Sequence, residues 1–488
     1  MLTTRKVRFS IRSLAIMLLT FTSASAFAQG FYLNNEVIVK YKTNMMRTNQ
    51  MMNSLYNDVF VEKVKHYKGQ LKNIEQLTLA NHITVDQAIE ILEKNPMVEY
   101  VQPNYILSLP ETYMLGRNLA DVTPKEGFPC IPGFEIPGCD PSGTLPCIFP
   151  GIPFPPGCDG GGGGGTPPPP PKTRPELKDP PADVNPPVAD PDLSKTYGLS
   201  KTEATEAWKE FRGSKEFIVA DIDTGIDYNH QDLAFNVWRN PNPKNNDIVG
   251  YDFIHNDGLP YDDQGHGTHT AGTIGAVGGN GVAISGVSQR VSIMALKFLS
   301  AEGSGTTADA IRAIDYAVEH GARVLSNSWG GKGDEDNKAL REAIDRAKNA
   351  NVLFIAAAGN DGTDNDGRDP SYPAAFDNDN LIAVAATDNK DGMAFFSNYG
   401  KKTTHLGAPG VDVYSTIPGD KYKAYSGTSM ACPHVAGAAA LVWAKNPTWD
   451  YKKVKEVLMK TVDAVPSLNG KTITGGRLNV LRALRSTE

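Results

Sequence analysis

The sequence predicts an α/β protein in which a mainly parallel sheet carries helices on both faces, preceded by a smaller α+β unit. Three observations carry this prediction. Short apolar runs of buried-strand type recur at 217–223, 291–296, 322–326, 352–357 and 381–386. Helical stretches at 307–319 and 338–349 stand between them, and a strand that returns through a helix ends parallel to its neighbour, with helices covering both faces. Between 36 and 106 the order is instead strand, helix, strand, strand, helix, strand. In open parallel sheets the chemistry sits at the carboxyl ends of the strands, and the first run of the larger unit ends on Asp223.

At 488 residues the chain is longer than one core usually organises, so two or more folded units are expected. Its net charge of -7 is spread thinly without a basic tract, which gives no reason to expect nucleic acid or an anionic membrane as partner. Residues 1–28 carry Arg5, Lys6, Arg8 and Arg12, then an apolar stretch over 14–21, then Ala26 and Ala28 before Gln29. That is the layout of a secretory signal peptide. The apolar stretch is too short to span a membrane and no later one reaches about 18 residues, so a secreted or periplasmic protein without a membrane span is expected.

Residues 29–109 hold the small unit, with strands at 36–41, 59–67, 74–79 and 98–106 and helices at 45–57 and 85–94. Thr84 caps the second helix and Asn95-Pro96 ends it. Taken alone, this unit could equally be an independent binding module. Residues 110–189 hold four of the five cysteines in two similar pieces, Cys130 with Cys139 and Cys147 with Cys158. No histidine accompanies them and none is spaced Cys-x-x-Cys, so in an exported chain disulfides are favoured over a metal site. The repeat favours the pairs 130–139 and 147–158, although four cysteines allow three pairings. Glycines at 160–165 and prolines at 167–171 then read as a swivel and a stiff rod, a tether to the larger unit at 190–488.

That larger unit is organised around Gly427 to Gly437, where Ser429 enters a small-residue, apolar helix buried on every side. A serine there is most often an N-cap. Two other stretches change its meaning: Asp223 in Asp-Ile-Asp-Thr-Gly, and His266 in Asp-Gln-Gly-His-Gly-Thr-His. Together they offer the carboxylate, imidazole and hydroxyl that activate a poor nucleophile.

These three blocks resemble those of the subtilisin-like serine proteases, the subtilases, over about 197–480, with Asp223, His266 and Ser429 on the family's catalytic positions. The resemblance implies a subtilisin-like three-layer fold and a self-processing serine endopeptidase that needs no cofactor for catalysis and acts on protein or peptide substrates. It also implies that the small unit is an inhibitory propeptide of ferredoxin-like type, which occupies the cleft. A monomer is expected. Asn360 falls on the oxyanion-hole position, with the Ser429 N–H as its partner. Ser328, Trp329 and Gly330 resemble the strand that pairs with extended substrate, and Ala358, Gly359 and Ser371 the wall of the pocket before the cut, with small and apolar walls suggesting apolar preference. A structural calcium is implied at Asp232 and Asn280 with the carbonyls of Gly278, Val282 and Ile284, although Leu193, beside Asp192, replaces the family's glutamine ligand.

His266 and His269 also form a His-x-x-His pair, but the glutamate and the spacing of a zinc protease helix are missing. Asp221 stands where the family usually has an apolar residue, two positions before Asp223 and on the same side of the strand, and a structural role is expected of it. The first self-cleavage is expected after Leu107, the leucine nearest the end of the last propeptide strand. The alternative to an enzyme is a catalytically silent binding protein of the same fold, which a broken triad would signal; none of the three residues is missing.

Overall fold

The computed structural model describes residues 32–110, 174–185, 187–332 and 337–486. The expected signal peptide and all four cysteines of the expected disulfides lie outside the described residues.

The small unit runs β1 (Tyr32–Tyr41), α1 (Asn49–Asp58), β2 (Val61–His66), β3 (Ile74–Leu79), α2 (Val85–Glu93) and β4 (Val98–Ser108). Thr48 caps α1, which therefore starts later than the sequence pattern suggests, and Thr84 with Gln87 forms a capping box on α2. The strands pair antiparallel in the order β2-β3-β1-β4. Alternation along β1 divides its residues between two cores. Val37 and Val39 pack under the unit's own helices with Leu55, Ala88 and Leu92, whereas Ile38 belongs to a core of the larger unit.

The larger unit continues α3 (Tyr197–Lys201), α4 (Ala204–Ala207), β5 (Gly213–Asp223), β6 (Gly250–Asp252), α5 (His266–Gly275), β7 (Arg290–Lys297), β8 (Ser304–Thr306), α6 (Thr307–Glu319), β9 (Val324–Asn327), β10 (Gly331–Lys332) and α7 (Lys338–Asn349). It then adds β11 (Leu353–Ala357), β12 (Ser371–Tyr372), β13 (Leu381–Thr387), β14 (Leu406–Pro409), β15 (Val413–Ile417), β16 (Lys421–Tyr425), α8 (Thr428–Lys445), α9 (Tyr451–Lys460), β17 (Asp463–Ala464), β18 (Gly476–Arg477) and α10 (Val480–Arg485). The central sheet has the order β17-β18-β14-β13-β11-β9-β5-β7-β6, parallel throughout except for β17. Odd and even strand residues face different layers. Val219, Ile293, Ile355 and Val384 pack against α5 and α8, and Ala220, Met294, Phe354 and Ala383 against α6 and α7.

Contacts of β4 help to tie the units together. Gln102 and Asn104 of β4 accept hydrogen bonds from Ala339 N and Ala308 N, at 2.9 and 3.1 Å, so they satisfy first-turn donors of α7 and α6. β4 also pairs antiparallel with β8, Ile106 with Thr306, Leu107 with Gly305 and Ser108 with Ser304. Residues 174–185 and 187–189 are not a free tether either, because several of them hydrogen-bond along the surface of the larger unit.

Candidate active site

Asp223 ends β5, and its Oδ1 accepts hydrogen bonds from Thr224 N at 2.7 Å and from His266 Nδ1 at 2.8 Å. His266 opens α5, and its Nε2 has no hydrogen-bond partner among the described residues. Both side chains are buried. What holds them is a residue that the sequence reading missed. Asp262 is buried and accepts from Thr224 Oγ1 (2.8 Å), Gly265 N (2.8 Å), Thr268 N (2.8 Å) and Thr268 Oγ1 (2.7 Å). It thereby fixes the strand end that carries Asp223 to the helix start that carries His266. A carboxylate followed three residues later by a glycine and a helix start is the signal that could have found it.

Ser429 is the second residue of α8, in a first turn whose N–H groups have no partner within the helix. Its hydroxyl donates to the Ser328 carbonyl at 3.1 Å, and the Ser328 hydroxyl donates to the Ser429 carbonyl at 2.9 Å. Pro433 explains the second bond. It is the sixth helical residue, four after Ser429. It therefore cannot donate to the Ser429 carbonyl, which takes the Ser328 hydroxyl instead.

Asn360 follows the end of β11. Its Oδ1 accepts from Thr428 N and Thr428 Oγ1, both at 2.8 Å, so the oxygen end of the carboxamide is anchored beside Ser429 and the donor end is its Nδ2. Gly359 has a φ of +108° and a Cβ there would lie 2.4 Å from Asn398 Nδ2 and 3.1 Å from the Ser371 side chain, so only glycine lets these segments meet. Ala358 is fully buried and Ser371 nearly so, both held by the Asn365 side chain through Ala358 O (2.8 Å) and Ser371 N (3.1 Å).

Ser328, Trp329 and Gly330 extend from β9 along the cleft. Trp329 is buried with its Nε1 donating to Ile222 O at 2.8 Å. Gly330 makes both backbone bonds with Ser108, at 3.0 and 2.9 Å, and on the other side Leu109 N donates to Gly303 O at 2.9 Å. The propeptide end is thus sandwiched between two strands. Antiparallel register then sets Pro110 opposite Ser328, the residue that touches Ser429. Leu107, expected at the nucleophile, is instead fully buried in the apolar core that also holds Trp329, Phe298 and Ile311. It lies three residues upstream of the position facing Ser328. Side-chain hydrophobicity favoured Leu107; backbone pairing decides otherwise.

His269 is not part of a metal pair. Its Nε2 meets the carbonyls of Val413 and Lys423 at 3.0 and 3.1 Å and its ring stacks on Tyr425, and burial, with the nearby His266, pushes its pKa down to about 3. Asp221 is fully buried, and its Oδ2 accepts from Thr270 Oγ1 at 2.9 Å. Burial, and then the charge of Asp223, push it well above the usual carboxylate range. A neutral acid there has an uncharged isostere. Asp221→Asn should keep turnover within a few-fold of wild type, whereas Asp223→Asn should lose roughly 10⁴-fold; equal losses with folding retained would move the catalytic carboxylate to Asp221. The sign for stability follows from proton counting. Above about pH 4 the unfolded chain releases the Asp221 proton while the folded chain keeps it, so wild type loses stability as pH rises, and Asp221→Asn removes that part of the slope.

The predicted calcium residues are partly brought together. Asp232 accepts from Asn280 Nδ2 (2.9 Å), Ile284 N (3.0 Å) and Tyr422 Oη (3.2 Å), and burial pushes it up to about 7. The Gly278 carbonyl drops out of the set, because it already accepts from the guanidinium groups of Arg212 and Arg290, at 2.7 and 2.9 Å. Asp190, not Leu193 or Asp192, meets this loop, its carboxylate accepting from Gly279, Asn280 and Gly281 N–H. Burial raises it too, and its charge adds to the rise of Asp232. Among the described residues no three of His, Cys, Asp and Glu gather as metal ligands. The donor set is two carboxylates with amide and carbonyl oxygens, which suits a hard cation.

Residues 214–479 match the subtilase family, and residues 22–104 match the fervidolysin N-terminal prodomain. Over 292 residues the chain is 38% identical to thermitase of Thermoactinomyces vulgaris, covering 60% of this chain and 96% of thermitase. It is 39% identical over 288 residues to the thermophilic serine proteinase of Bacillus sp. (strain AK1), covering 59% of this chain and 66% of that protein. Against subtilisin E of Bacillus subtilis (strain 168) it is 37% identical over 269 residues, covering 55% of this chain and 66% of that protein. The chain belongs to the subtilase family. It is a subtilisin-like serine endopeptidase with an N-terminal prodomain, and no described helix is long and apolar enough to cross a membrane.

Proposed function

We propose that Asp223, His266 and Ser429 are the catalytic triad of an exported, self-processing endopeptidase. The Ser429 oxygen attacks the peptide carbonyl while its proton passes to His266 Nε2, and Asp223 orients the imidazole and stabilises its charged form. The oxyanion is held by Asn360 Nδ2 and the Ser429 N–H. His266 then returns the proton to the leaving amine, and water removes the acyl group by the same route. No cofactor takes part. Ser328, Trp329 and Gly330 pair with extended substrate, a mode that tolerates many sequences, and Ala358, Gly359 and Ser371 wall the pocket. The 2.8 Å bond between Asp223 and His266 Nδ1 carries this reading, because it leaves Nε2 as the base. Its test is the Ser429→Ala variant described in the Discussion. Export is supported by the layout of residues 1–28.

The propeptide, in this reading, inhibits by lying in the cleft as a product would, and the first cut follows Pro110. Proline has no N–H for the Ser328 carbonyl, and that carbonyl is the one the Ser429 hydroxyl contacts. N-terminal sequencing of freshly processed enzyme should begin at Glu111. Pro110→Ala, which restores one hydrogen bond of about 1 kcal/mol, should process about five-fold faster. A first product beginning at Ser108 would contradict this register.

A structural calcium at Asp190, Asp232 and Asn280 with the Val282 and Ile284 carbonyls is supported by the two buried carboxylates at one loop. It would brace the loop and take no part in bond cleavage. Chelation should lower the Tm of inactive protein, calcium should restore it, and Asp232→Asn should abolish the response; an unchanged Tm after chelation removes the ion from the account.

A further inference from the structure

The two family matches end at residue 104 and begin at residue 214, leaving the stretch between them unassigned. Part of that stretch has a defined place. At its start Arg174 inserts into a tight loop: its Nη1 donates to Asp257 Oδ1 and Oδ2 at 2.6 and 2.7 Å, and its Nη2 to Asp252 Oδ2 at 2.9 Å. The Arg174 side chain is 10% exposed, that of Asp252 0% and that of Asp257 44%. The loop presents both carboxylates because Asp252 and Asp257 exchange two backbone bonds, at 2.8 and 3.1 Å. Asp252 also accepts from the N–H groups of Ile254 and His255 and contacts His255 Nδ1, each at 2.9 Å.

Beyond Arg174 the backbone has no helix or strand, yet several of its polar groups are engaged. Pro175 O accepts from Tyr228 Oη at 2.8 Å, and Glu176 O and Lys178 N bond the Asn229 side chain at 2.8 and 2.9 Å. Leu177 packs on the core that contains α8. Asp183 pairs with Arg290 at 2.5 Å, and Val188 exchanges backbone bonds with Gly279 and Gly281 at 2.8 and 3.1 Å.

We propose that residues 174–188 are a permanent arm of the mature catalytic unit, clipped at its far end by Arg174, and that maturation therefore stops upstream of Arg174. The argument is electrostatic. Asp252 has no exposed surface, and a product lacking Arg174 would keep that carboxylate, with Asp257 beside it, stripped of the guanidinium that compensates them. A segment without sheet partners is ordinarily open to a protease, and here the carbonyls of Pro175, Glu176, Lys178 and Val188 are held by hydrogen bonds to the larger unit. The clip lies on the edge strand β6, where Phe253 N bonds Lys297 O at 2.7 Å, so the arm braces the sheet at the end that carries Asp223.

This inference goes beyond the proteolytic reading and can be tested without activity. In the inactive Ser429→Ala chain, Arg174→Ala should lower the Tm by about 5 to 10 °C and open new thermolysin cleavage near Leu177, while Arg174→Lys should recover part of the Tm loss. If Arg174→Ala does not accumulate, Asp257→Asn, at a half-exposed position, should give the same cleavage with a smaller Tm shift. In active enzyme, intact-mass analysis should place the final N-terminus at or before Arg174. An unchanged Tm with no new cleavage, or a mature chain beginning after Arg174, overturns the proposal.

Discussion

Replacing Ser429 by alanine should yield a folded, unprocessed precursor that keeps the propeptide strand β4 in the cleft. Turnover falls on the order of 10⁶-fold, the size measured for loss of the nucleophile in subtilisin, a relative of this chain. The variant should fold, because the Ser429 hydroxyl makes a single contact, to Ser328 O, while the bond that ties Ser328 to the helix uses the Ser429 carbonyl and survives the substitution. Processing stops with activity because the residue beside Ser328 is then held against a helix end that can bind but not attack. A variant that still processed normally, with outside proteases excluded, would sink the triad assignment and the self-processing reading together.

Asn360→Ala should give the next largest loss, about 100- to 1000-fold in turnover with little change in KM, a magnitude again known from subtilisin. The carboxamide oxygen is anchored on Thr428, so its donor end is set before substrate arrives and acts on charge that develops only in the transition state. Asn360→Asp separates donor loss from a structural effect. It keeps the oxygen that holds Thr428 and removes the amide donor, so folding should be retained and turnover lost. If Asn360→Asp kept wild-type turnover, the oxyanion donor would have to be sought elsewhere.

Much of this was legible in the sequence, for reasons that differ by element. The strands at 74–79 and 291–296 and the helices at 307–319 and 338–349 announce themselves by apolar period and capping, and the structure places them within a residue or two. Asp223, His266 and Ser429 were legible as blocks. Asp190 was not, since it acts on backbone N–H groups of a loop some 90 residues away, and no local pattern records such partners; Asp262 was missed although its spacing to Gly265 and the helix start carried a local signal. The expected cut after Leu107 rested on the side chain, which suits an apolar pocket, whereas the ladder to Gly303 and Gly330 sets Pro110 opposite Ser328, a register that no side-chain pattern records. The Gly278 carbonyl accepts instead from two arginines outside the loop, partners that the local sequence does not record. The arm at 174–188 carries no regular secondary structure, so only the folded partners of Arg174 reveal it.

The central claim is that Ser429 is the one hydroxyl made nucleophilic by His266. Labelling the mature enzyme with a fluorophosphonate and mapping the adduct by peptide mass spectrometry tests it most directly. A single adduct on Ser429 is expected, lost in His266→Ala and in the heat-unfolded protein; an adduct on another residue, or labelling of Ser429 that persists after unfolding, would mean that His266 does not activate Ser429.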